Sequence, residues 1–179
     1  VPVESCLTLR NFVSCISRSF VFSLAPLTIR GSLLIDGIDL SVLMKSTLEI
    51  SRRSGDLFLN LRLYYSSKWL SENMAVSRFF YPFENRSWEK MILMGLADGT
   101  GALNVSGYQH SALTQSHTNF MLAPGEAKIT PLPNRILTTG QVITNWLASC
   151  GNYPVGIFQT ACALRQDSVQ SVGGKVRSR

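Results

Sequence analysis

His110, His117, Cys150 and the run Asp98-Gly-Thr-Gly101 are the residues whose types could do chemistry in this chain. The two histidines are the only ones in the sequence, and they are not joined by any close cysteine or acidic cluster, as a metal site would need. Cys150 stands in Ala-Ser-Cys-Gly-Asn. As a nucleophile it would require a base, which either histidine could supply in space; the apolar pattern around it instead predicts a small buried side chain. The 98–101 run has the glycines of a phosphate loop but lacks the lysine and the helix that follows it, and it has the wrong order for an aspartic protease loop. It reads as a β-turn. The 11 carboxylates show no pair spaced for acid–base work. The expectation is therefore a chain with no catalytic residue, no metal ligand and no cofactor.

Binding chemistry is better represented. Phe79-Phe80-Tyr81-Pro82-Phe83 runs toward Trp88. Such a run can pack a core, stack on nucleic-acid bases or form a subunit interface. Only Arg78 and Arg86 flank it, fewer cations than base stacking calls for. The net charge is +6 with a pI near 9.4, but the cations are scattered. Their densest groups are Arg52-Arg53 and Lys175, Arg177 and Arg179 at the end, which is not the clustered patch of a compact nucleic-acid reader.

The elements that would hold these residues read mostly as strands. Phe20, Phe22 and Leu24 alternate with Val21, Ser23 and Ala25. Leu57, Leu59, Leu61 and Leu63 alternate with Phe58, Asn60, Arg62 and Tyr64, the cleanest two-residue period in the chain. Further candidate strands are 74–81, 90–96, 102–108, 119–123, 142–149 and 155–165, with turn residues such as Asp98-Gly99, Pro124-Gly125 and Gly151-Asn152 between several of them. One helix interrupts the series. Leu40, Leu43, Met44 and Leu48 form one apolar stripe, Asp39 precedes them as an N-cap, and Ser54-Gly55-Asp56 ends the helix. The predicted fold is all-β, a single eight-stranded jelly-roll sandwich over 1–179, with one short helix before a core strand, an N-terminal arm over 1–17 and a flexible tail over 171–179.

The composition sets bounds. Apolar residues make up 45% and charged residues 16%, which excludes a disordered chain and suggests burial against partner chains. No apolar run reaches the roughly 18 residues of a membrane helix, so no membrane partner is expected. Cys6, Cys15, Cys150 and Cys162 lack zinc spacing and read as reduced thiols. In a reducing compartment the sequons at Asn85 and Asn104 carry no glycan.

The stretch DLSVLMKSTLEISRRSGDLFLNLRL resembles the helix-then-strand segment of the small coat protein of comovirus-like and fabavirus-like plant viruses. Val42-Leu43-Met44-Lys45 matches the helix, Arg53-Ser54-Gly55 the turn and Leu57 to Leu63 the strand. SFVFSLAPLTIRG at 19–31, Thr144-Asn145-Trp146 and ALRQDSVQSVGGK at 163–175 are similar to the first, penultimate and last strands of that family. The resemblance implies a structural capsid subunit that assembles with a large coat protein and further copies of itself into an icosahedral shell around single-stranded RNA. It implies a place in the virion, with host cytoplasm during assembly, and release from a polyprotein, which would account for Val1 in place of Met. RNA contact would be non-sequence-specific, with Arg10 and Arg18 nearest the RNA and Arg52 and Arg53 next. Phe79, Phe80, Tyr81, Phe83 and Trp88 would face neighbouring subunits, and Lys175, Arg177 and Arg179 would lie on an exposed tail. A movement-type RNA-binding protein and a lectin-like, ligand-binding jelly roll are the alternatives.

Overall fold

A computed structural model of the chain describes residues 3–26, 31–32, 34–35, 37–99, 103–114 and 116–161. It divides into two compact units, Val1–Met74 with Met94–Gly101, and Ala75–Leu93 with Ala102–Arg179. Neither is a jelly roll. The first is helical and the second is built on a parallel sheet, so the all-β expectation is overturned.

In the first unit Thr8 sets the start of α1 (Leu9–Leu24), its hydroxyl accepting from the Asn11 N–H at 3.2 Å. The predicted strand near 20–25 lies mostly in this helix, as do residues 9–17 of the expected N-terminal arm. Phe12, Cys15, Ser19 and Phe22 recur every three or four residues, a helical spacing that outweighs the brief alternation at its end. Cys15 is completely buried on that face. A two-rung hairpin, β1 (Leu34–Ile35) and β2 (Ile38–Asp39), turns through Gly37 at φ +80°. The predicted helix forms as α2 (Ser41–Arg53); its N-cap position is Leu40 and not the expected Asp39, which stands one residue earlier and accepts from the Ser41 N–H at 2.9 Å.

The leucine alternation at 57–63 does not make a strand. It lies in α3 (Asp56–Asn73), which starts after Gly55, whose φ of +80° suits a residue without a side chain. This helix needs apolar residues on more than one side, which mimics a two-residue period. One side meets α1, where Phe58 packs edge-on to Phe12 at 5.9 Å and the Tyr65 and Ser14 hydroxyls are 3.0 Å apart. Another side carries Ser67 and Ser71, which meet Gly95 and Gly99 near the end of α4 (Ser87–Asp98). A Cβ at Gly95 would overlap the Ser67 hydroxyl and the Tyr64 carbonyl. The Ser71 hydroxyl donates to the Leu96 carbonyl at 3.1 Å. Tyr64 donates to Asp98 at 2.6 Å, and that bond pushes the phenol pKa up to about 12. Asp98 thus serves helix packing.

The second unit holds β3 (Arg78–Pro82), β4 (Asn104–Tyr108), β5 (Arg135–Thr138) and β6 (Phe158–Thr160), all parallel and side by side in chain order. Parallel neighbours need crossovers. The start of α4 lies between β3 and β4, and α5 (Gln141–Cys150) between β5 and β6. These helices replace the strands predicted at 90–96 and 142–149. Apolar runs of that length do not distinguish a strand from a helix. The segment 119–123 forms a 3₁₀ turn, Thr118–Phe120, with loop after it, and β5 was missed altogether. Val105, Ile136 and Leu147 are buried here together with Phe83, whose ring lies 5.9 Å from that of Phe120 and 6.2 Å from that of Tyr153.

The Gly95 approach gives a test. Gly95→Ala is expected to lower stability by about 1–3 kcal/mol, because backbone and side chain must both shift to admit the methyl. Gly140→Ala, with nothing within 4 Å of its Cβ position, should change it far less. Chemical denaturation of the two variants measures the contrast.

Candidate functional site

Open parallel sheets take ligands beyond the carboxyl ends of their strands. Here that edge is tied to itself. Buried Gln109, just past β4, donates to the Ser111 carbonyl and accepts from the Thr139 hydroxyl at 3.2 Å. The Thr144 hydroxyl lies 2.5 Å from that of Thr138 and 2.9 Å from that of Thr160, and Thr160 in turn donates to the Gln141 amide oxygen at 3.0 Å. This chain of side chains fastens β5 and β6 to the start of α5. Its donors and acceptors serve one another, so it is a clamp.

Glu89 is the other concentration of polarity. It lies in the first turn of α4, where a carboxylate can take up backbone N–H groups that lack helical partners. Its Oε1 accepts from the Glu84 and Arg86 N–H groups at 2.9 and 3.1 Å, and its Oε2 from Asn85 at 3.1 Å. Asn85, at φ +56°, is held by reciprocal amide bonds: it donates to the Asn119 carbonyl and Asn119 to the Glu84 carbonyl, each at 2.7 Å. Burial pushes the Glu89 pKa up to about 7 against the opposing pull of the three N–H groups. The same burial, with Glu89 nearby, holds the Tyr81 hydroxyl far above the usual phenol range. That hydroxyl has no hydrogen-bond partner. Glu89 was absent from the sequence expectations, although a glutamate two residues after Ser87 and just before an apolar run is a helix-start signal.

The largest unexplained feature is on α1. Leu9, Val13, Ile16, Phe20 and Leu24 recur at intervals of three or four and are 48–79% exposed. At 3.6 residues per turn they form one seam, roughly opposite the face that carries Cys15. A helix apolar on both sides is normally buried on both. On α2, Val42, Leu43 and Ile50 are also exposed.

The expected binding residues are spread across both units. Arg10 and Arg18 are exposed on α1; at 3.6 residues per turn Arg10 borders the seam, whereas Arg18 lies on the far side, near Cys15 and Tyr64. Arg52 is mostly covered: it donates to the Ala25 carbonyl and lies 3.6 Å from Glu49, bracing α2 against the end of α1. Arg53 is exposed and lies 3.5 Å from the same carboxylate. Along β3, Phe80 faces outward while Tyr81 is buried; Phe83, just beyond the strand, is buried too, and Phe79 and Trp88 are half-buried. His117 accepts from the Thr114 N–H at 3.0 Å within its own loop. Cys150, expected to be buried, is exposed at the end of α5. Cys162, Lys175, Arg177 and Arg179 lie outside the described residues. Among the described residues no cluster of histidine, cysteine and carboxylate could hold a metal, and no helix is long and apolar enough to cross a membrane.

Two predictions follow from the buried polar groups. A carboxyl whose folded pKa is raised above its ordinary value of 4.5 favours the protonated form, so stability should fall as pH rises from 4.5 through about 7. The loss is about 3 kcal/mol. Glu89→Gln removes the charge and with it this dependence, while losing one of the three N–H contacts. Unfolding midpoints between pH 4.5 and 8 should slope for the natural protein and stay flat for the variant. Tyr81→Phe deletes an unpaired buried hydroxyl and should leave stability unchanged or raise it by up to about 1 kcal/mol in urea unfolding.

Comparison with protein-family models, curated proteins and solved structures gave no match to this chain.

Proposed function

We propose that this chain is a structural subunit of a larger multi-chain particle, docked through the exposed apolar seam of α1. The seam is the observation that carries the reading. Five large side chains in a continuous stripe lose the benefit of burial unless another chain covers them. Helix α1 carries Arg10 and Arg18 and no acidic residue. Arg10 is the cation at the edge of the seam, and a second copy of this helix has no carboxylate to offer it. The matching partner is a different chain, with a helix that presents its own apolar seam flanked by carboxylates.

In this form the small-coat-protein role rests on helix packing and no longer on a jelly roll. The partner is the larger coat polypeptide, and the particle encloses RNA, met by dispersed cations such as Arg10, Arg18 and Arg53. The lectin-like jelly roll is withdrawn with its fold. The clamped edge of the parallel sheet supports no small-ligand reading in its place.

Sedimentation of the native source material is the test. The 19.8 kDa chain is expected in a fast peak with RNA and a larger polypeptide at fixed stoichiometry. Slow sedimentation as a monomer would overturn the reading. Joint replacement Ile16→Glu and Phe20→Glu should weaken incorporation about a hundredfold or more, with helix content by circular dichroism unchanged. Val13→Glu is the milder companion, and incorporation of both variants at natural levels would remove the seam from the proposal.

A further inference from the structure

Strand β3 is an outer strand of the parallel sheet, with β4 on one side and no strand on the other among the described residues. The Asn104 N–H donates to the Ser77 carbonyl at 3.2 Å, and the Phe83 N–H to the Tyr108 carbonyl at 2.8 Å. With Arg78 aligned to Asn104 and Pro82 to Tyr108, these bonds turn the main-chain groups of Phe79, Tyr81 and Phe83 toward β4. Those of Arg78, Phe80 and Pro82 therefore point to the open side. The main-chain groups of Arg78 and Phe80 have no hydrogen-bond partner there among the described residues. All three residues are exposed. Phe80, at the centre, is 56% exposed. An open strand edge with a large apolar residue at its centre is a template for a further strand.

We infer that a second copy of this chain adds to that edge, its β3 antiparallel to the first across a twofold axis at Phe80. In that register the N–H and carbonyl of Phe80 exchange bonds with those of the other Phe80. Each Arg78 N–H donates to the second copy's Pro82 carbonyl. The bonds forgone are those that would need an N–H on Pro82. The two exposed Phe80 side chains meet directly across the pair. Charge matches as well. Arg78 makes no ion pair among the described residues, and it comes beside the second copy's Glu84, which stands two residues past Pro82. The twofold axis repeats this contact. Within its own chain Glu84 lies 3.7 Å from Arg86, and both side chains are exposed, so that pair is weak. This edge carries both signs of charge and is complementary to itself, whereas α1 has cations alone. The inference does not depend on the assembly role of the α1 seam, because Ile16 and Phe20 are not part of β3.

Sedimentation equilibrium of the full chain is the test, run with Ile16→Glu and Phe20→Glu in place so that the seam adds no association. A dimer, twice the 19.8 kDa chain mass, is expected at about 50 μM. Adding Phe80→Lys, which sets two ammonium groups against each other, should leave a monomer at that concentration. Arg78→Glu and Glu84→Arg should each weaken the dimer about tenfold or more, and together should restore it to within about threefold. Restoration by the exchanged pair separates loss of charge matching from misfolding. Arg53→Gln, outside the edge, should have no effect. A monomer before any change to β3, a dimer that survives Phe80→Lys, or an exchanged pair that stays as weak as its single variants would each overturn the assignment.

Discussion

Glu89 and the three backbone N–H groups it accepts fix the point where the chain leaves β3 and becomes helical. The sheet depends on that turn. A strand at 90–96 could have followed β3 as an antiparallel neighbour, and the unit would then have been the expected sandwich. With α4 in that place the next strand returns parallel, and β4, β5 and β6 stack in order beside it. The geometry also explains why a carboxyl group is tolerated in a buried place. It satisfies donors that would otherwise be orphaned, at the cost of a raised pKa.

The first unit has its own constraint in the small residues between α3 and the end of α4. Ser67 and Ser71 face Gly95 and Gly99 closely enough that one Cβ would collide with a main-chain carbonyl. Such an approach exists only between helices, because it needs small residues four apart on each partner. The same four-residue spacing in α1 generates an apolar seam with nothing described against it. One periodicity therefore builds the interior of this unit and also leaves an apolar stripe exposed among the described residues.

Polar groups in the second unit are largely spent on holding the fold. The hydroxyls of Thr138, Thr144 and Thr160 and the Gln109 amide close the carboxyl edge of the sheet. An edge occupied by its own side chains has little left to offer a ligand. The seam of α1 is different in kind, because its apolar side chains stay exposed among the described residues.

Some of this was legible in the sequence. Asp39, the stripe at Leu40 to Leu48 and the stop at Ser54-Gly55 located α2, because caps and breakers act within a few residues of where they stand. The segments around β3, β4 and β6 were found through local β-favouring runs. The spacing of Leu9, Val13, Ile16 and Phe20 was also present, but the stretch was divided between an arm and a strand. What the residues could not decide alone was whether 20–25, 57–63, 90–96 and 142–149 were strands or helices, whether the strands ran parallel, and which apolar faces stayed open. A short apolar run fits both periods, and its choice depends on what packs on each side. For α3 that was α1 on one face and two glycines on another, while the seam of α1 stays exposed among the described residues.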